Sequence, residues 1–262
     1  MNDQSLNDQH NQPGNLWFQC LTPDFQHTAR TITFKKSSVS PQRMQQNKQF
    51  VFRSNTGKFV LHTSAKELKD LLVAWIFVSL AFAIAQGINE NKGVGGFFTT
   101  TFLVTMIIAA ITVGIAFLFH ELAHKIVAQQ YRCWAEFRAD LTMLGFGILI
   151  SLLGVIFIAP GAVMIFGDIT TKQNGKISLA GPFTNIIIAL ILLPFLYFKI
   201  GSGIALEIIT SGFIINAWLA LFNMIPLWNF DGAKIYRWSK PIYFIIVILA
   251  ALLVFIYFMR TA

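Results

Sequence analysis

The sequence predicts an all-α polytopic membrane protein, and its composition and apolar runs carry that prediction. Of its 262 residues, 55% are hydrophobic and only 12% are charged, whereas an average soluble domain has about 25% charged residues. Several apolar runs reach the ~20 residues that an α-helix needs to cross a bilayer core. We therefore expect about five to six transmembrane helices including one re-entrant segment, with a short N-terminal tail of weak β propensity.

Residues 1–65 are predicted to form a polar, partly disordered, cytoplasmic tail. Residues 1–31 are rich in Asn, Gln and Asp, a composition that buries too little apolar surface to fold. Residues 32–63 alternate weakly between apolar and polar types, and Asn55-Thr56-Gly57 could form a hairpin turn. The first thirty residues contain no apolar segment typical of a signal peptide. We therefore expect the first membrane helix to act as its own insertion signal.

Residues 66–262 are predicted to form one intramembrane domain. Ser64 and Glu67 have the spacing of a capping box, so a helix should begin there and lead into a first span. The segment Leu141–Phe166 is apolar, but several glycines and Pro160-Gly161 interrupt it, which leaves its path ambiguous. The spans are expected at about Leu71–Gln86, Phe97–Gln130, Ile177–Phe198, Ile204–Leu227 and Ile242–Met259.

The net charge of +8 is spread along the chain. Residues 1–70 contain nine Lys or Arg against five Asp or Glu, and residues 71–262 contain eleven against seven. Recognition of nucleic acid would require a concentrated basic face, so we expect no nucleic-acid partner. This spread is more typical of cytoplasmic loops that face the anionic lipids of a bilayer. Cys20 and Cys133 make no disulfide framework.

The segment His120-Glu121-Leu122-Ala123-His124 follows a long apolar run and contains two of the five histidines of the chain. An H-E-x-x-H sequence on a helix places two imidazoles one turn apart, beside a carboxylate. In that arrangement the two His bind Zn²⁺ and the Glu acts as general base. Ionisable groups at membrane depth are costly, which makes them candidates for function. We therefore predict one Zn²⁺ per chain at this segment.

A catalytic zinc site has three protein ligands and an open position, so one more ligand must come from elsewhere in the chain. The metzincin pattern requires a glycine and a histidine at positions that hold Val127 and Gln130 here, which excludes that class. The thermolysin-like class places a Glu further downstream than Glu136 and Asp140, and these two acids lie in a basic, polar stretch. They remain the second choice for the ligand.

Asp231 is the preferred candidate for the missing ligand. Pro226 removes a backbone donor and disrupts the preceding helix, and Gly232 permits a turn. A broken helix at membrane depth is tolerated where it lines a cavity, and a cavity is where a ligand carboxylate belongs.

Three motifs resemble the site-2 protease family of intramembrane zinc metalloproteases, whose prokaryotic and especially archaeal members are closest in size. They are HELAH, then Ala180-Gly181-Pro182-Phe183-Thr184-Asn185, then N-x-x-P-x-x-x-x-D-G from Asn223 to Gly232. They occur in the order of the family, within or beside predicted spans, and the resemblance covers about Leu68 to Lys240. Phe230 and Ala233 stand where the family often has Leu and a second Gly, but neither change removes a ligand.

The resemblance implies a role for each matched polar residue. Zinc would be bound by His120, His124 and Asp231, with Glu121 as catalytic base, and Asn223 and Asn185 would contact the substrate backbone or shape the cleft. It also implies that residues 66–262 are an intramembrane metalloprotease domain. Its substrates would be single-span transmembrane proteins, cut near the cytoplasmic side of the bilayer in regulated intramembrane proteolysis.

Three other functions were weighed. A membrane-embedded protease of the prenyl-protein type would use a Glu as third ligand, and no Glu is suitably placed. A catalytically silent relative could bind membrane helices as a scaffold or chaperone, but it would have no need of Glu121 as general base. A transporter is disfavoured because the chain lacks paired broken helices in matching halves. The sequence does not indicate an oligomeric state.

The topology follows from parity. HELAH and Asp231 lie at the C-terminal ends of two different spans and must meet at one metal, so an even number of crossings must separate them. Leu141–Phe166 is therefore predicted to be re-entrant. With a cytoplasmic N-terminus in the cell membrane, most Lys and Arg from Lys92 onward then follow the positive-inside rule.

Overall fold

The computed structural model describes residues 61–89, 99–156, 160–227 and 230–261. These ranges are mostly helical, and they contain one two-stranded antiparallel sheet. The predicted N-terminal tail up to residue 60, with its weak β propensity, lies outside the described residues. The helices are α1 Ala65–Asn89, α2 Thr100–Ala109, α3 Ile115–Gln130, α4 Leu141–Ser151, α5 Thr171–Tyr197, α6 Ile204–Asn223, α7 Asp231–Trp238 and α8 Lys240–Thr261, and the strands are β1 Trp134–Ala139 and β2 Gly161–Phe166.

Five helical segments of the described residues are long and apolar enough to cross a membrane, which confirms the predicted polytopic fold. Helices α1 and α5 begin in polar sequence, ahead of their predicted starts. Ser64 and Thr170 cap these helices by accepting hydrogen bonds from backbone N–H groups of the first turn. The five spans are α1, the continuous segment Thr100–Gln130, α5, α6 and most of α8.

The segment Thr100–Gln130 contains a π-helical turn, Ala110–Gly114, between α2 and α3. A π turn inserts an extra residue into the helix and turns the following residues by about 100°. The indole Nε1 of Trp75 on α1 donates to the Ala110 carbonyl oxygen over 2.9 Å. A side chain at Gly114 would overlap that indole. The π turn and its contact with α1 therefore set which face of α3 points to the protein interior.

The start of α1 departs from the predicted capping box. Ser64 Oγ accepts from the Glu67 backbone N–H over 3.1 Å as expected. The Glu67 carboxylate, however, turns away from the helix start and pairs with Lys125 Nζ at 2.6 Å. Its other oxygen accepts from the Phe137 backbone N–H on β1 over 3.1 Å. Glu67 thus joins α1, α3 and β1 through a buried ion pair, because a buried ammonium requires an opposite charge more than the helix start requires a second cap.

Removing this buried charge should be much more damaging than removing an exposed one on the same helix. The Glu67→Gln variant leaves the Lys125 ammonium buried without a counter-charge, and we expect it to lose about 3–5 kcal/mol of unfolding free energy. The control Asp70→Asn removes the carboxylate that lies 4.0 Å from Arg138 in a partly exposed position, and should change it by at most ~1 kcal/mol. Equilibrium unfolding in detergent, followed by circular dichroism, measures both. Equal losses in the two variants would contradict this interpretation.

The segment Leu141–Phe166 does not cross the membrane domain. Helix α4 is only 11 residues long, about 16 Å at 1.5 Å per residue. The chain then returns, and β2 pairs antiparallel with β1 from Trp134↔Phe166 to Ala139↔Gly161. The Asp140 N–H also donates to the Pro160 carbonyl over 3.1 Å. The two ends of the segment therefore lie side by side, as the re-entrant prediction requires.

This pairing of β1 with β2 was not predicted, because the sequence around Glu136 and Asp140 indicated only a basic, polar stretch and no strand. In Trp134–Ala139 the side chains of Ala135 and Phe137 are buried, while Glu136 and Arg138, which alternate with them, are only partly buried. This is a strand pattern with period two. A strand is stable only with a partner, and that partner, β2, comes after the whole of α4.

The core lies between the spans that carry the three resemblance motifs. Helix α5 packs against α3, α6 and α7, and one apolar cluster joins α5 to α6 and α8 through residues such as Phe213, Ile186 and Leu253. Two prolines, Pro182 and Pro194, lie within α5. Polar side chains of α3 and α5, such as His120 and Asn185, face each other inside this apolar bundle.

Candidate metal centre

His120 and His124 occupy one face of α3 and converge on Asp231, the first residue of α7. The two Nε2 atoms are 3.0 Å apart. Asp231 Oδ2 lies 3.0 Å from His124 Nε2 and 3.4 Å from His120 Nε2. All three residues are buried, and one ligand atom of each falls within 4.8 Å of the others. The structure therefore brings together the two histidines and the aspartate that the sequence selected.

Asp231 reaches this position because the chain breaks between α6 and α7. Helix α6 ends at Asn223 and α7 begins at Asp231, with Pro226 in the connection, as predicted. Gly232, however, lies inside α7 and not in a turn. A side chain there would clash with the Met224 carbonyl at the end of α6. Glycine is needed at this position for a close approach of two backbones, which carries Asp231 towards α3.

The other ring nitrogen of each histidine is held by an oxygen atom. His120 Nδ1 is 2.6 Å from Asn185 Oδ1, and His124 Nδ1 is 2.7 Å from the Ile177 carbonyl oxygen, both on α5. An oxygen acceptor requires a proton on Nδ1, so each neutral ring carries its lone pair on Nε2. Oxygen acceptors behind metal-binding histidines orient the rings in this way in many metal sites. Both lone pairs therefore point at the space beside Asp231.

The donor set fits zinc. One Asp231 carboxylate oxygen lies within 3.4 Å of both histidine Nε2 atoms, so the three groups can share one ion. The result is two imidazole nitrogens and one carboxylate oxygen in a buried site, a set of three that leaves a fourth tetrahedral position open. Within the part of the chain that the structure describes, His120, His124 and Asp231 form the group of His, Cys, Asp or Glu side chains that lies close enough together to hold a metal ion.

The backbone of α5 closes the site opposite Asp231. A Cβ atom added to Gly181 would lie 2.6 Å from His120 Nε2 and closer still to His124 Nε2. Any side chain at this position would thus overlap the Nε2 atoms of the two histidines. The glycine of the Ala180–Asn185 motif is explained by this contact.

Comparison with known proteins agrees with this chemistry. No family model and no solved structure matches the chain. The chain is 38% identical over 190 residues to "Putative zinc metalloprotease MJ0611" of Methanocaldococcus jannaschii, an alignment that covers 71% of this chain and 92% of the relative. The chain belongs to the same zinc metalloprotease family. This membership supports a metalloprotease role, and with the His–His–Asp group it indicates zinc as the metal.

Glu121, the predicted general base, lies beside the two histidines. It follows His120 directly on α3 and is only partly exposed. Helix α3 packs against strand β2, and Val163 of that strand lies near the Glu121 carboxylate. Strand β2 of the re-entrant hairpin therefore lies next to Glu121.

The two asparagines selected for this metalloprotease lie in different settings. Asn185 is fully buried behind His120, and its Oδ1 holds the Nδ1 side of that ring. Asn223 is half-buried at the end of α6, and its Nδ2 donates to the Leu219 carbonyl of its own helix over 2.8 Å. Contact of either with a substrate stays a prediction.

Glu136 and Asp140, the second choices for the third ligand, lie outside the metal centre. Glu136 pairs with Arg138, and Asp140 caps α4 by accepting from the Thr142 and Met143 N–H groups over 3.0 Å. Both carboxylates are therefore engaged in local structure of the hairpin region.

Sequence reasoning missed two groups that support the metal centre. One is the Glu67–Lys125 pair, whose lysine directly follows His124. The other is Asn216 on α6, which accepts from Asn185. A signal existed in both cases, since each residue is a polar side chain within an apolar span, where such groups are costly without a partner.

Proposed function

We propose that this chain is an intramembrane zinc metalloendopeptidase of the HExxH type, a member of the site-2 protease family. It hydrolyses peptide bonds of single-span transmembrane proteins near the cytoplasmic side of the bilayer. The observation that carries the proposal is the buried His120–His124–Asp231 group. Its two histidines lie, with Glu121 between them, on a segment long enough to span a membrane. Its similarity to a protein named as a zinc metalloprotease supports the same reaction class.

The residues divide the work of hydrolysis. His120, His124 and Asp231 would hold the zinc ion, which when bound polarises the scissile carbonyl and acidifies a water molecule. The Glu121 carboxylate accepts a proton from the attacking water while the oxygen of that water bonds to the carbonyl carbon. Glu121 then gives that proton to the leaving amine as the C–N bond breaks. Asp231 remains a ligand and takes no part in proton transfer.

A transmembrane substrate must lose part of its helix before it can react. In a helix each carbonyl accepts an i→i+4 hydrogen bond and is covered by neighbouring turns. Backbone groups freed inside a membrane are costly unless they find new partners. Asn223, half-buried at the C-terminal end of α6, could offer its amide to them. Its present acceptor is a carbonyl of its own helix, and that bond could be exchanged for a substrate contact.

The proposed orientation places the metal centre towards the cytoplasm of a cell membrane, with residues 1–65 as a cytoplasmic tail ahead of the protease domain 66–262. It rests on the re-entrant path of Leu141–Phe166, which puts most basic residues on one side in agreement with the positive-inside rule. The residues on the cytoplasmic side would be Lys125, Arg132, Arg138, Lys172, Lys176, Lys234, Arg237 and Lys240, and those on the other side Lys92, Lys199 and Arg260.

Single cysteines test this orientation. Lys172→Cys and Tyr236→Cys, each in a background lacking Cys20 and Cys133, place a thiol at exposed positions. A membrane-impermeant maleimide should label both from the cytoplasmic side only, since an even number of crossings separates them. Lys199→Cys, in an exposed turn between α5 and α6, is the control and should be labelled only from the other side. Labelling of position 172 or 236 from outside would refute the orientation.

Proteolysis itself is tested with purified protein and a synthetic single-span peptide in detergent or lipid vesicles. Wild-type protein loaded with zinc should cut the peptide, and mass spectrometry should place the cut within or beside the apolar segment. Binding of the peptide without any cut, in zinc-loaded protein, would favour the scaffold alternative. A cut only in the polar flanks would contradict the intramembrane part of the proposal.

A further inference from the structure

A buried chain of hydrogen bonds runs from α6 through α5 to the metal centre. Asn216 Nδ2 donates to the Gly212 carbonyl oxygen over 2.8 Å. Asn185 Nδ2 donates to Asn216 Oδ1 over 2.8 Å, and Asn185 Oδ1 lies 2.6 Å from His120 Nδ1. The asparagines and the histidine are all buried, in spans that are otherwise apolar. This series of hydrogen bonds is therefore shielded from water, and each side chain in it depends on the next for its hydrogen-bond partner.

The direction of this chain is set by backbone carbonyls. The Gly212 carbonyl can only accept, so the amino end of Asn216 must face it and the Asn216 oxygen must face Asn185. Asn185 Nδ2 then has two acceptors, Asn216 Oδ1 and the Ala116 carbonyl at 3.3 Å. Rotating the Asn185 amide by half a turn would set its oxygen against two other oxygens. Its oxygen is consequently held towards His120.

We propose that Asn216 is a positioning residue that fixes the ring tautomer of His120. By holding the Asn185 oxygen at Nδ1 it keeps the proton there and the lone pair on Nε2, where the metal is bound. The inference rests on the ligand role of His120 in the proposed function. Without Asn216, the Ala116 carbonyl alone would restrain the amide of Asn185, over a longer distance.

The ring of His124 is oriented by a different kind of acceptor. His124 Nδ1 donates to the Ile177 backbone carbonyl, an acceptor that no side-chain change removes. A change at Asn216 should therefore affect one metal ligand and leave the other as it was. A general loosening of the bundle would affect both, and this difference separates positioning from a merely structural role.

The test compares two asparagines of the same helix. Asn216→Ala removes the hydrogen bond to Asn185 and so breaks the connection from α6 to His120. Asn223→Ala is the matched control, since Asn223 makes the same kind of bond to the carbonyl one turn earlier, over 2.8 Å, but has no described contact with Asn185. Asn216→Asp is the conservative variant, because a protonated carboxyl group keeps an oxygen that accepts from Asn185 and an O–H that donates to the Gly212 carbonyl oxygen. Zinc affinity is measured by competition with a chelator, and the histidine ring N–H signals are recorded by nitrogen-15 NMR of zinc-loaded protein in detergent.

We expect Asn216→Ala to weaken zinc binding about tenfold, the lower end of the effect seen for groups that orient metal ligands, and to shift one ring N–H signal while the other stays. Asn223→Ala should leave zinc affinity unchanged. In Asn216→Asp the ring N–H signal of His120 should stay at its wild-type position. Unchanged zinc affinity in Asn216→Ala, or equal shifts of both signals, would overturn the inference. Wild-type protein that binds no zinc would instead refute the proposed function, so the two failures are distinguishable.

Discussion

Glu121→Gln is expected to abolish peptide-bond hydrolysis and leave zinc binding intact. Glutamine keeps nearly the same shape but has no basic oxygen that can take the proton from the attacking water. General acid–base catalysis contributes about 10²–10⁴-fold to such reactions, so the rate should fall by at least about a hundredfold. Zinc should stay, because the ligand atoms within 4.8 Å of one another belong to His120, His124 and Asp231.

The ligands should behave in the opposite way. In His120→Ala, His124→Ala and Asp231→Ala the protein loses one of three ligands, and each variant should lose most of its zinc together with its activity. Zinc content by elemental analysis and cleavage of a single-span peptide by gel assay separate the two classes of variant. Full activity of Glu121→Gln would refute the mechanism. Zinc retained by Asp231→Ala would move the third ligand elsewhere, with Glu136 and Asp140 next in line.

Gly181→Ala should also abolish zinc binding, although it removes no ligand. The added methyl group would lie 2.6 Å from His120 Nε2 and closer to His124 Nε2, where the metal and its ligands must meet. The rings cannot turn aside without giving up the hydrogen bonds from Nδ1 to Asn185 and the Ile177 carbonyl. We therefore expect zinc content close to that of the ligand variants, measured by the same elemental analysis.

Gly145→Ala is the matched control for this substitution. Gly145 lies in α4, and a Cβ there would meet no atom within 4 Å, so the same added methyl group has space. Alanine is also favoured over glycine in a helix by up to ~1 kcal/mol. Zinc content and activity should equal those of the wild type. A zinc-replete Gly181→Ala protein would show that α5 can move away from the histidines and that the site is less closely packed than its geometry indicates.

The spans and the placement of His120 and His124 on one helix face could be predicted, because both depend on residues close together in the chain. An apolar run of about twenty residues is sufficient to specify a membrane helix, and a spacing of four residues places His120 and His124 on one face. The re-entrant path was also predictable, but only from the need for HELAH and Asp231 to meet at one metal. Asp231 itself was selected from Pro226 and Gly232, and the structure places it at the start of a new helix.

The features that sequence reasoning missed depend on partners far apart in the chain. Strand β1 is stable through β2, which follows after α4, and a capping role predicted for Glu67 gave way to a buried ion pair with Lys125. Gly232 is explained by the Met224 carbonyl, which no local pattern reveals. In each case a local preference was overruled by a contact that only the assembled bundle provides.

The sequence by itself determined that this protein is a polytopic helical membrane protein with two histidines and a glutamate poised on one helix, because helix periodicity and hydrophobicity are local properties. Only the tertiary structure decided which oxygen holds each histidine ring, that Gly181 leaves room for the two histidine Nε2 atoms, and that Asn216 stands behind Asn185. The physical reason is that hydrogen-bond partners of buried polar groups, and the space around a metal centre, are set by how helices distant in sequence pack against each other.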